Sequence, residues 1–128
     1  MSTTPRRPTE AELVILNVLW DHGPLSVRDI QGFLSEDKPT GYTTALKFLQ
    51  IMTAKELVER DDSVRPQIYR ARLTRAATQR QLLRDLAHRA FGGSVRSLVL
   101  QALATKRTSP ADLRAIEALI DRHDKGEL

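Results

Sequence analysis

Apolar side chains recur along this chain at two periods, and the switch between them organises it. Leu13, Leu16, Val18, Leu19 and Trp20 form the first helix-spaced group, and Val27, Ile30, Phe33 and Leu34 the second. The third runs from Ala45 through Leu46, Phe48 and Leu49 to Met52. Punctuation between the groups agrees with three helices. Thr9-Glu10-Ala11-Glu12 is a capping box, and His22-Gly23-Pro24 is a stop. Ser26 is a second N-cap with Asp29 at N3, Ser35 to Gly41 reads as a polar loop, and the third helix is expected to run to about Lys55. The period then becomes two. Leu57 to Asp62 and Gln67 to Leu73 read as strands joined by a turn at Ser63-Val64-Arg65-Pro66, with Tyr69, Ala71 and Leu73 on one face and Arg70 and Arg72 on the other.

Beyond Leu73 the helical period returns. Thr74 to about Ala90 carries Leu82, Leu83, Leu86, Ala87 and Ala90, and Phe91-Gly92-Gly93 ends it. Ser94 to Thr105 carries Val95, Leu98, Val99, Ala102 and Leu103. Ser109-Pro110-Ala111-Asp112 opens a last helix with an N-cap, proline at N1 and an acid at N3, followed by Leu113, Ile116, Leu119 and Ile120. The expected fold is mainly α: a winged helix-turn-helix of three helices and a β-hairpin over residues 9–73, then a three-helix region over 74–128. Residues 1–8 read as a flexible basic arm.

Charge changes this picture only in part. The chain of 128 residues carries a net +4, which makes a polyanion a plausible partner. Up to Arg72, ten Lys and Arg meet ten Asp and Glu, so the excess lies wholly in the last three helices. Nucleic-acid binding by the first part therefore requires its cations to be gathered on one face. The lack of cysteine excludes disulfides and thiolate metal sites and fits a reducing cytoplasm. No apolar run reaches the length of a membrane span. Enzyme chemistry has little foothold. His22, His88 and His123 are far apart, Asp61-Asp62 reads as a solvated turn, and Gly92-Gly93 follows a helix as its terminator. No cofactor or metal is expected.

The third helix has a second surface. Thr43, Thr44, Lys47, Gln50 and Lys55 fall off its apolar side, and hydroxyls, an amide and ammonium groups are suited to base edges and phosphates in a major groove. Tyr42, just ahead of them, suits a phosphate. The plainer reading of Thr43 and Thr44 is N-capping, and that of Lys47 a solvated lysine. Arg65, with Arg60, Arg70 and Arg72 nearby, would make the hairpin a basic wing, although a solvated strand face fits each arginine alone. Arg28 on the second helix is a candidate phosphate clamp, and Arg6 and Arg7 a candidate minor-groove arm. In the last three helices the apolar positions are too many for such thin elements to bury alone. Leu82, Leu83, Leu86, Ala90, Val95, Leu98, Val99, Ala102, Leu103, Leu113, Ile116, Leu119 and Ile120 are therefore expected to form a dimer interface. Packing back onto the first domain is the simpler alternative.

From Thr9 to Ile120 the chain resembles the BlaI/MecI family of penicillinase and methicillin-resistance repressors. The similarity lies in the order and spacing of Glu10-Ala11-Glu12-Leu13, Val18-Leu19-Trp20, Tyr42-Thr43-Thr44-Ala45-Leu46, Leu49-Gln50, Ala54-Lys55-Glu56-Leu57-Val58, Ile68-Tyr69-Arg70-Ala71, Phe91-Gly92-Gly93-Ser94-Val95 and Leu98-Val99-Leu100. The resemblance implies a homodimeric repressor on a pseudo-palindromic double-stranded DNA operator, released by a signal such as a partner membrane sensor metalloprotease. In characterised members release follows cleavage between an Asn and a Phe in the fifth helix. The aligned pair here is Gln101-Ala102, a departure, so cleavage is not carried over to it. The cysteines of related copper-responsive repressors are absent. Glu56 stands where many relatives have glycine, which suggests a different turn. Two other functions remain open on the sequence: a winged helix used only for protein contacts, and a repressor released by a small ligand.

Overall fold

The computed structural model describes residues 7–126. It divides into two compact units, the first ending at Leu82 and the second beginning at Leu83.

In the first unit, α1 (Glu10–His22) starts on the expected capping box. The Thr9 hydroxyl accepts from the Glu12 amide at 3.2 Å, and the Glu12 carboxylate accepts from the Thr9 amide at 2.9 Å. Gly23, at φ 84°, stops the helix and donates its amide to the Leu19 carbonyl. Leu25–Ser26 forms a short strand, β1, before α2 (Val27–Asp37), whose N-cap Ser26 accepts from the Asp29 amide at 3.2 Å. After a turn comes α3 (Tyr42–Ala54), then β2 (Val58–Asp61) and β3 (Ile68–Ala71). The sheet is antiparallel in the order β1-β3-β2, with Leu25 opposite Tyr69 and Arg60 opposite Tyr69 on the other side. This is the three-helix-plus-wing arrangement, inside a mainly helical chain.

Two local differences from the sequence reading have plain causes. β1 was not among the expected elements, because two residues carry no alternation; it pairs only with β3. Ser35 to Asp37 complete α2 rather than open a loop, since the last helical turn tolerates polar residues, and the turn shrinks to residues 38–41.

The core of this unit takes one stripe from each helix. Ile15, Leu16, Leu19, Ile30, Ala45, Leu49, Met52, Val58 and Tyr69 are buried together. One charged pair crosses it. Glu12 is buried at 3% exposure, and Lys55 Nζ donates to its Oε1 at 2.6 Å. Burial alone would push the Glu12 carboxyl up, but Lys55 and the Thr9 amide outweigh it and hold the pKa below the usual glutamate value. The start of α1 is thereby tied to the end of α3. The C-terminus of α1 is tied to the segment after the sheet: Trp20 Nε1 donates to the Leu73 carbonyl at 2.9 Å, and Arg75 pairs with Asp21 while lying over the Trp20 ring.

The turn after α3 explains Glu56. The Glu56 amide donates to the Thr53 carbonyl at 3.1 Å and the Leu57 amide to the Met52 carbonyl at 2.9 Å, which is a Schellman closure. That closure needs a left-handed residue, and Glu56 adopts φ 63°. The sequence suggested a different turn at this point. The structure instead keeps the turn that a glycine would make and places a glutamate in it, at an energetic cost of roughly 1 kcal/mol.

α4 (Arg75–Ala90) runs out of the first unit into the second. Within the second unit, Gly92 and Gly93 take φ 57° and 83°, and the Phe91 and Gly93 amides both donate to the Ala87 carbonyl. α5 (Val95–Thr105) and α6 (Pro110–Asp124) begin on serine caps, Ser94 and Ser109. Burial here is sparse. Ala87 and Leu98 are covered, whereas α6 has no buried residue at all.

Candidate nucleic-acid interface

The polar flank of α3 is open. Its N-cap is Gly41, which makes no side-chain capping bond, so Thr43 and Thr44 do not cap the helix. The first amides of a helix lack intrahelical partners and carry a partial positive charge, and no side chain caps them here. Tyr42, Thr43, Thr44, Lys47 and Gln50 are all exposed, while Ala45, Leu49 and Met52 on the opposite side are buried. Lys47 has no carboxylate partner among the described residues. The i, i+3, i+4 spacing of the sequence therefore separates into one covered stripe and one open flank.

Lys55 does not share that flank. Its ammonium is fixed on buried Glu12, and its side chain is only 15% exposed. The sequence expected it among the DNA contacts. The structure gives it an internal role, which nothing in local spacing could reveal because its partner lies at the far end of α1.

A concavity of about 660 Å³ joins α3 to α2 and the wing. Arg28 and Asp29 line it from α2, Tyr42 and Gln50 from α3, and Arg60 and Gln67 from the hairpin. Arg60 was given only a supporting place in the sequence reading. Its position opposite Tyr69, whose ring is buried, puts it on the same face of the ribbon as α3. A hydrogen bond to Tyr69, followed by the charge of Asp62 at 2.8 Å, raises the pKa of this guanidinium. Alternation along β2 and β3 contains this information, but only once the register of the hairpin is known.

The remaining wing cations are tied to neighbours. Arg70 pairs with Glu59 at 3.3 Å, Arg72 with Glu56 at 3.2 Å, and Arg65 donates to the Asp62 and Val64 carbonyls at 2.6 and 3.0 Å. Asp61 caps its own turn by accepting from the Ser63 hydroxyl and amide, and these bonds lower its pKa. The wing is thus charge-balanced rather than basic. Such exposed pairs are weak, about 0–1 kcal/mol each, so they can exchange for phosphate. Arg28 is exposed, Arg7 is exposed before α1, and Arg6 lies outside the described residues.

Of the side chains expected to form a dimer interface, most are open within their own unit. Leu86, Val95, Leu119 and Ile120 are between 47% and 54% exposed, and Leu83, Val99, Leu103 and Leu113 are also exposed. Ala90 and Ala102 are exposed, as is Gln101. Leu82 and Ile116 are half-buried, and Leu98 is covered inside the unit.

Among the described residues no group of His, Asp and Glu could hold a metal ion, and no helix is long and apolar enough to cross a membrane. Residues 8–122, most of the chain, match the family model described as penicillinase repressor. No curated protein matches the chain.

Proposed function

The chain belongs to the penicillinase repressor family, a family of transcriptional repressors, and from that premise we propose that it acts as a homodimer which inserts two copies of α3 into one pseudo-palindromic operator. The observation that carries this reading is the uncapped, uncovered flank of α3, with Thr43, Thr44, Lys47 and Gln50 exposed while Ala45, Leu49 and Met52 on the other side are buried. Thr methyls and hydroxyls and the Lys47 ammonium meet base edges. Tyr42, Arg28 and Arg60 around the adjoining concavity meet phosphates. Arg65 and Arg70 join them by exchanging their present partners for phosphate oxygens, and Arg6 and Arg7 reach the minor groove.

The second unit supplies the twofold. Its apolar side chains are half exposed in the single chain, an arrangement expected of an interface awaiting its partner. Tethering raises the effective concentration of the second half-site contact, so affinity multiplies without new chemistry. Any signal that weakens the dimer then releases the operator. A partner membrane metalloprotease is one such signal, acting at a site other than Gln101-Ala102 if the residue preference of the characterised relatives holds.

Footprinting on the DNA upstream of the chain's own gene tests this. Protection of a twofold-symmetric site, with two chains per duplex and affinity that falls steeply with salt, is the expected result. A saturable interaction with neither symmetry nor salt dependence would overturn it. A winged helix used only for protein contacts would give no protection at all.

A further inference from the structure

We propose that the first unit also binds a small, uncharged aromatic molecule, in a hollow bounded by α1, the turn between α2 and α3, and the first turns of α3. We further propose that this ligand weakens operator binding. The second statement rests on the DNA-binding reading above, and the first does not.

The hollow holds about 310 Å³, at the small end of the range for small-molecule sites. Its walls are Val14, Ile15, Phe33, Leu34 and Phe48. Val14 is 50% exposed in the middle of α1, so the chain's own helices leave this apolar surface open. Phe33 is already held in place by stacking on His22, with ring centroids 3.9 Å apart. A rigid aromatic wall favours a flat ligand over a flexible chain. The rim fixes the charge of the occupant. The lining carries one acid, Asp37, and one base, Lys38, so it has no net charge with which to favour an anion or a cation. Thr44, whose hydroxyl caps nothing, offers a hydrogen bond to one polar group. A helix, about 10 Å across, is too large for the space.

Coupling to α3 follows from the same residues. Gln31 and Ser35 clasp the Thr40 carbonyl at 3.2 and 3.1 Å, which anchors the turn to α2. α3 begins directly afterwards, uncapped, and contributes Thr44 and Phe48 to the hollow. A molecule wedged between Val14 and Thr44 therefore sets where the first turn of α3 stands, and with it Thr43 and Lys47. A second concavity of about 310 Å³ is lined by α3 alone, from Thr43 to Ile51, so no other element bounds the helix there. Because coupling is reciprocal, the operator must weaken ligand binding by the same factor.

The test uses the full chain, labelled with nitrogen-15 and titrated with indole, a neutral bicycle with one donor. Saturable amide shifts confined to the neighbourhood of Val14, Thr40, Gly41 and Thr44 are expected. Val14→Trp, which fills the hollow from an exposed position outside the operator-facing flank, should abolish them, with amides away from the hollow and the first turns of α3 unchanged; Val14→Lys should abolish them by charging the wall. Saturating indole should raise the operator Kd at least about threefold in the parent and leave Val14→Trp unaffected. Absence of saturable shifts up to the solubility limit, or identical shifts in both variants, overturns the site. Equal operator affinity with and without indole overturns the coupling. Should the parent bind no operator, the DNA-binding reading fails, and the amide shifts still decide the ligand site.

Discussion

The two units of this chain treat apolar surface in opposite ways. In the first, Ile15, Ile30, Leu49, Met52 and Val58 are fully buried, and helices and sheet close over them. In the second, α4, α5 and α6 together cover little beyond Ala87 and Leu98, and Leu86, Leu100, Leu119 and Ile120 stay about half exposed. A buried leucine is stabilised by roughly 1.5–3 kcal/mol relative to an exposed one, so the second unit leaves many kcal/mol unrealised in a single chain. One unit closes a core of its own, on which α3 is seated. The other leaves its apolar faces open, and the proposed function covers them with a second copy.

That contrast can be broken most forcefully in the first unit. Leu49→Ala should destabilise it by about 2–5 kcal/mol, seen as a lowered urea midpoint, because α3 cannot collapse around the void. Next comes the buried pair. Lys55→Ala leaves Glu12 without its partner and should cost about 3 kcal/mol at neutral pH. Its signature is the acid side of the stability curve. The depressed Glu12 pKa means the pair's stabilisation is full above the pKa of an unfolded glutamate, about 4.3, and is lost as pH falls through the lower folded value. Lys55→Ala should flatten that portion of the curve, and an unchanged acid slope would contradict the role given to Lys55.

In the second unit the same kind of change should act differently. Ile120→Lys removes nothing buried within the chain, so the first unit should keep its stability. The dimer dissociation constant should instead rise at least tenfold, about 1.4 kcal/mol, in sedimentation equilibrium. The smallest effect concerns the hinge between α3 and β2. Glu56→Gly should stabilise the first unit by about 0.5–1 kcal/mol in thermal melts, since it relieves a left-handed glutamate and loses only an exposed pair with Arg72.

Much of this was legible in the sequence. The expected capping residues Thr9, Ser26 and Ser109 all act as caps, and the periodicity of Ala45, Leu49 and Met52 gives the buried side of α3. What was not legible depended on distant partners. Lys55 read as a DNA contact, whereas in the fold its ammonium is held by Glu12. Arg60 and Arg70 were indistinguishable until strand register placed Arg60 toward α3 and Arg70 beside Glu59. The wing looked basic because arginines stand out in a string, whereas the acids paired with Arg70 and Arg72, Glu59 and Glu56, lie across the hairpin. β1 is too short for any period to show.

Lys47→Ala removes an ammonium from the open flank of α3 and nothing from its buried side. In a gel-shift titration against the protected upstream site, run beside a thermal melt, operator affinity should fall about tenfold or more while the melting temperature stays within a degree or two of the parent. Equal affinity for parent and variant, on a duplex that the parent binds, would mean that this face of α3 does not meet DNA.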